Sequence, residues 1–187
     1  IQGNVSLADK SGWLPFNGGV EPAYTSVRFS PDGLSLIAFG NQPRVLRSWK
    51  LSSPGATGLI GTSLTPSSSG DFTPDGKTFC VTTESGTLQI WDVKKGRAQD
   101  VEVTPRAGRS NRLCVSPDGN LVAIAGEADM LYVASVKDGA VLETHTIPGT
   151  AMYVRQPAWS PDGSTIAVPH TNGVTAVNRD GTLKWKQ

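Results

Sequence analysis

The side chains best suited to proton transfer or metal binding are sparse. The chain holds two histidines, His145 and His170, and two cysteines, Cys80 and Cys114. The histidines stand 25 residues apart, with no carboxylate or thiol at the short spacings that assemble a metal site. No Gly-x-Ser-x-Gly elbow, phosphate-cradling glycine loop or His-Glu-x-x-His segment occurs. Four aspartates, Asp32, Asp75, Asp118 and Asp162, recur almost evenly and could pass for a catalytic set. Each, however, sits in the same local context, Ser/Thr-Pro-Asp-Gly. There Pro presets φ near about −65°, Asp caps the turn with its own side chain, and Gly accepts positive φ. The expected chemistry is turn formation, and the residues predict no catalytic side chain, no cofactor and no metal site.

The elements that carry these aspartates repeat with them. The tetrapeptides at 30–33, 73–76, 116–119 and 160–163 are separated by 43, 43 and 44 residues. A fixed period of this size means an array of similar units. In the second unit, a run ending in Phe72 precedes the Pro74-Asp75-Gly76 turn. The β-formers Thr78 to Thr82 follow, then a turn at Glu84-Ser85-Gly86, an alternating strand Thr87 to Trp91, a turn at Lys94-Lys95-Gly96, and a polar strand Ala98 to Val103. Four strands and four turns per unit predict an all-β chain, a β-propeller of four-stranded antiparallel blades. The second strands, such as Leu36 to Phe39 and Leu121 to Ala125, are near-continuous apolar runs. That pattern suits a sheet covered on both faces.

About four and a half blades are expected: a half blade over 1–19 and blades over 20–64, 65–105, 106–148 and 149–187. In the half blade, Val5 to Gly12 reads as a third strand with its turn, and Trp13 to Phe16 as a fourth strand. A leftover half blade exposes strand edges unless something covers them. Three closures are open: a longer propeller of roughly six to eight blades, a smaller ring closed by the half blade, or two chains completing each other. The chain is expected to be part of a larger or partner-completed propeller. Phe29, Phe72, Val115 and Trp159 occupy one equivalent position and are expected to pack between blades. One step earlier, Arg28 and Asp71 are expected to form an ion pair across adjacent blades. Cys80 and Cys114, inside apolar strand patterns, are expected to be small buried hydrophobes.

Composition narrows the partners. Net charge is +1 and pI near 8.0, which is no electrostatic footprint for nucleic acid. No apolar run approaches the roughly 20 residues that span a bilayer, and no secretory signal is visible. A cytoplasmic or virion setting is expected ahead of a secreted one. The loops at one rim gather Arg44, Glu84, Arg106, Arg109, Arg112, Glu127, Asp129, Tyr153, Arg155 and His170. Mixed charge with Arg and Tyr suits a protein-binding surface.

The tetrapeptide before an apolar strand, together with Ile90-Trp91-Asp92, resembles the WD-repeat family over nearly the whole chain after Tyr24. That family's Gly-His pair is missing, and Trp91-Asp92 is the single Trp-Asp in the chain. The resemblance therefore does not extend to the family's Ser/Thr-His-Asp-Trp hydrogen-bond network. The fourth unit, Gln156 to Ser164, is more similar to TolB-type repeats, and Glu21 to Gly33 is similar to propeller repeats of tailed-phage structural proteins. The resemblance implies a non-catalytic protein-interaction or scaffold module, partnered by another protein, by further blades of its parent chain or by a second copy. A structural component of a tailed-phage particle is the alternative, and a propeller hydrolase or lactonase the third.

Overall fold

The computed structural model describes residues 8–9, 12–13, 23–42, 45–52, 57–62, 67–102, 111–126, 129–147 and 155–187. A short hairpin opens it, β1 (Ala8–Asp9) against β2 (Gly12–Trp13). Gly12, expected in a turn, is paired with Asp9 in that hairpin. The first blade is β3 (Ala23–Phe29), β4 (Ser35–Gln42), β5 (Val45–Lys50) and β6 (Thr57–Thr62). The second is β7 (Ser67–Phe72), β8 (Thr78–Thr83), β9 (Thr87–Asp92) and β10 (Arg97–Glu102). The third is β11 (Arg112–Val115), β12 (Leu121–Ala125), β13 (Met130–Ser135) and β14 (Val141–Thr146). The fourth is β15 (Ala158–Trp159), β16 (Thr165–His170), β17 (Gly173–Asn178) and β18 (Leu183–Lys186). Each blade is a four-stranded antiparallel sheet with neighbours in chain order. The chain is all-β, as expected, with its four sheets arranged as propeller blades.

The apolar second strands follow from this stacking. Successive residues of a strand point to opposite faces, and here each face meets a different blade. Phe79 and Val81 of β8 pack with Ile37, Phe39 and Leu46 of the first blade, while Cys80 between them packs with Leu113 and Val122 of the third. Likewise Val122 and Ile124 of β12 face the second blade, and Leu121, Ala123 and Ala125 face Ile166 and Val168 of the fourth. Alternation disappears because neither face reaches water. The core is thus three seams between consecutive blades.

Cross-strand register builds one row per blade toward the preceding blade: Phe72–Phe79–Trp91, Val115–Val122–Ala134 and Trp159–Ile166–Val177. Phe72, Val115 and Trp159 pack into the seams as expected. Phe29 does not: it heads the equivalent row with Leu36 and Trp49 but stands 64% exposed, against 6% for Phe72. Position in the repeat supplies the residue, but burial needs a neighbouring blade face, and none of the three seam clusters includes Phe29.

The expected Arg28–Asp71 ion pair is also corrected. Equivalent positions point the same way around the array. Asp71 pairs with Cys80 on the face turned to the third blade, so it points away from the first. Its oxygens accept the N–H groups of Phe72 (3.0 Å) and of Val115 in the third blade (3.1 Å). Burial pushes its carboxyl above the ordinary range, opposed by those two hydrogen bonds and last by the charge of Arg28. Arg28 instead donates to Gln156 Oε1 (2.7 Å), linking the first blade to the approach of the fourth.

The repeated tetrapeptides are turns in all four blades. In the first, Ser30 Oγ donates to Asp32 Oδ1 (2.5 Å), the Leu34 N–H donates to the same oxygen (2.9 Å), and Gly33 N–H closes on Ser30 O. Thr73/Asp75, Ser116/Asp118 and Ser160/Asp162 repeat the pattern. These bonds hold each carboxyl below its usual range, Asp162 at about 2. Both cysteines are free and buried, and burial pushes Cys80 up to about 12 and Cys114 in the same direction.

Candidate functional site

Strand polarity puts all the tetrapeptide turns at one rim of the blades. The starts of the first strands and the turns between second and third strands lie at the other rim. Arg112 opens β11, paired with Ala125 at the end of β12. The segment before it is tied to the second blade. Thr82 Oγ1 donates to Asn111 O (3.1 Å), and Leu113 N–H donates to Ser69 Oγ (3.2 Å). Arg155 precedes β15 and is held by its N–H to Pro169 O near the end of β16 (2.9 Å). These anchors bring two guanidinium groups from adjacent blades to the same rim. They are close enough that Arg155, after burial, helps to lower the Arg112 pKa. Arg155 is exposed and Arg112 half-buried.

The other expected rim residues divide. Glu84, in the β8–β9 turn, and Asp129, before β13 at φ 62°, are half-buried at this rim. His170 reaches the rim along β16, but its ring is buried, 8% exposed. Its Nδ1 accepts the Asn172 N–H (3.3 Å), which leaves Nε2 as the protonated nitrogen facing Thr175 Oγ1 (3.0 Å). Both nitrogens therefore brace the β16–β17 turn. Arg44, Arg106, Arg109, Glu127 and Tyr153 lie outside the described residues. His145 lies on the outer strand β14 but is tucked in: Nε2 lies 3.0 Å from Glu143 Oε2, and the ring sits against Gly181 of the fourth blade. Among the described residues no three His, Cys, Asp or Glu side chains gather as a metal site. Among the same residues no helix is long and apolar enough to cross a membrane.

Residues 59–92 match the WD domain, G-beta repeat family. They run from the outermost strand of the first blade through the first three strands of the second. The chain is WD-repeat-like. A curated relative supports this. The chain is 26% identical over 146 residues to the Periodic tryptophan protein 2 homolog of Schizosaccharomyces pombe, a match covering 67% of this chain. The chain spans 17% of that relative's length. Within the matched WD-repeat segment, Trp91 is 4% exposed and its indole N–H has no hydrogen-bond partner among the described residues. An orphaned buried donor of this kind costs on the order of 1–3 kcal/mol. Among the described residues, packing against Phe79 and its neighbours, not an indole hydrogen bond, holds the Trp91 ring in place.

Proposed function

We propose that this chain is a non-catalytic protein-interaction module that presents its Arg112–Arg155 rim to an acidic segment of a partner protein. One observation carries the reading: Arg112 and Arg155, from neighbouring blades, stand at the same rim near enough for the charge of one to act on the other. A carboxylate brought to this rim is attracted by both charges. Arginine also offers a fork of donors matched to carboxylates. The WD-repeat likeness supports a module of this kind.

The test uses a fluorescein-labelled oligoglutamate peptide and fluorescence anisotropy. Binding is expected at low salt and should weaken as salt rises. The double reversal Arg112→Glu with Arg155→Glu should lower affinity by roughly tenfold or more, while Glu84→Lys should not weaken it. Equal binding by the double variant, or none by the native chain, would overturn the proposal.

A further inference from the structure

The rim of the repeated turns is not uniform. At the first two seams the glycine of one turn sits on the proline of the preceding turn. A Cβ on Gly76 would lie 3.4 Å from Pro31 Cδ, and one on Gly119 would lie 3.1 Å from Pro74 Cδ. At the third seam a Cβ on Gly163 would meet nothing within 4 Å. Trp159, where the other blades have Phe72 and Val115, stands in that gap and reaches back to donate its indole N–H to Cys114 O (3.3 Å). The turns are left apart by a groove of about 290 Å³, lined by Trp159, Pro117, Pro161, Asp118, Asp162 and Arg179 among others.

We propose that this groove receives a lysine or arginine side chain of a partner protein. The volume lies at the small end of ligand pockets, the scale of one long side chain rather than a cofactor. A half-buried indole and two prolines line the groove, and an indole face attracts ammonium and guanidinium groups. Of the two carboxylates, Asp118 already feels Arg179. Asp162 is held ionised by hydrogen bonds from Ser160 Oγ, the Ser164 N–H and Ser164 Oγ. A carboxylate has about four acceptor positions, so its turn bonds leave room for a cation. The groove therefore sets two ionised acids against one arginine, a net negative lining beside an aromatic side chain. This site lies on the rim opposite Arg112 and Arg155 and stands or falls separately from them.

The experiment titrates the native chain with a capped arginine tripeptide and, separately, its glutamate counterpart. It follows the Gly163 amide and the Trp159 indole N–H by NMR, the latter assigned by its loss in Trp159→Phe. The arginine peptide should shift both saturably, and the glutamate peptide should shift neither. Asp162→Asn should weaken binding roughly fivefold. Asp75→Asn, the same change in a turn whose seam is closed, should leave it unaltered. Trp159→Phe, which keeps an aromatic ring on the seam, should weaken binding about twofold or more by the Gly163 amide, and it decides the matter if Asp162→Asn does not fold. No saturable shift, an equal response to the glutamate peptide, or unchanged affinity in the deciding variant would overturn the proposal.

Discussion

The seam between the second and third blades and the seam between the third and fourth rest on the same register, yet they end differently. Both place a row of three side chains on the face of the preceding blade. At the first of these, headed by Val115, the turns lie so close that a Cβ on Gly119 would press on Pro74. At the second, Trp159 fills the corresponding place, the Gly163 turn has no such contact, and a groove remains. A repeat therefore need not acquire a new loop to acquire a pocket. Here the groove accompanies a change of side chain at a repeated packing position, Trp159 where the other seams have Phe72 and Val115, while the strand ladder is kept.

The largest expected difference is in packing density. Phe79 is fully buried, with ring centroids 4.7 Å from Phe72 and 5.8 Å from Phe39. Phe79→Ala should cost about 3–5 kcal/mol, as removal of a buried aromatic leaves a cavity. Trp159→Ala removes more atoms but from a half-buried ring beside an open groove, and should cost roughly 2 kcal/mol. Denaturant unfolding of both variants checks this. Equal losses would mean that the third seam is as tightly packed as the first.

A smaller effect isolates turn contact from turn strain. Gly119 and Gly163 have φ of 74° and 70°. Alanine at either should cost about 1–2 kcal/mol for the left-handed backbone alone. Only at Gly119 does the new methyl also press on Pro74 Cδ. Gly119→Ala should therefore exceed Gly163→Ala by about 0.5–1 kcal/mol. A reversed order would show that the contact at the second seam does not bear on stability.

Much of this was legible in the residues and some of it was not, for a physical reason. The Pro-Asp-Gly turns, the strand order and the doubly buried second strands all follow from short-range chemistry: preset φ, capping carboxylates and apolar runs. Burial of Phe29 and pairing of Arg28 with Asp71 depended on which face meets which blade. That is a property of stacking direction, and the repeat alone leaves it open. Arg112 and Arg155 could be assigned to one rim from strand polarity, but not to each other until adjacent blades were in place. Trp159 was visible as an outsized member of its repeat position. The signal for the groove is therefore the size of the side chain at that position, which apolar character alone does not carry.

The carboxylates offer the smallest and cleanest contrast, because location sets opposite signs. The turn aspartates have folded pKa values below their ordinary 3.8. Their contribution to stability is present above that pH and is lost as pH falls through the folded value, about 2 for Asp162. Asp71 is raised by burial. The folded state then holds its proton more tightly than the unfolded chain, so its contribution is present below 3.8 and is lost as pH rises through the folded value. In native protein the two trends partly cancel just above pH 3.8. Asp71→Asn removes one of them, so stability of the variant relative to native should climb with pH across that window. Its absolute level should drop, since the amide's NH2 puts a donor where one of the two carboxylate oxygens now accepts the Phe72 or Val115 N–H. Urea unfolding at a series of pH values from 3 to 7 separates the slope from the level. A relative stability that falls with pH would mean that Asp71 is held ionised in the seam, and that the blade-to-blade bond to Val115 outweighs its desolvation.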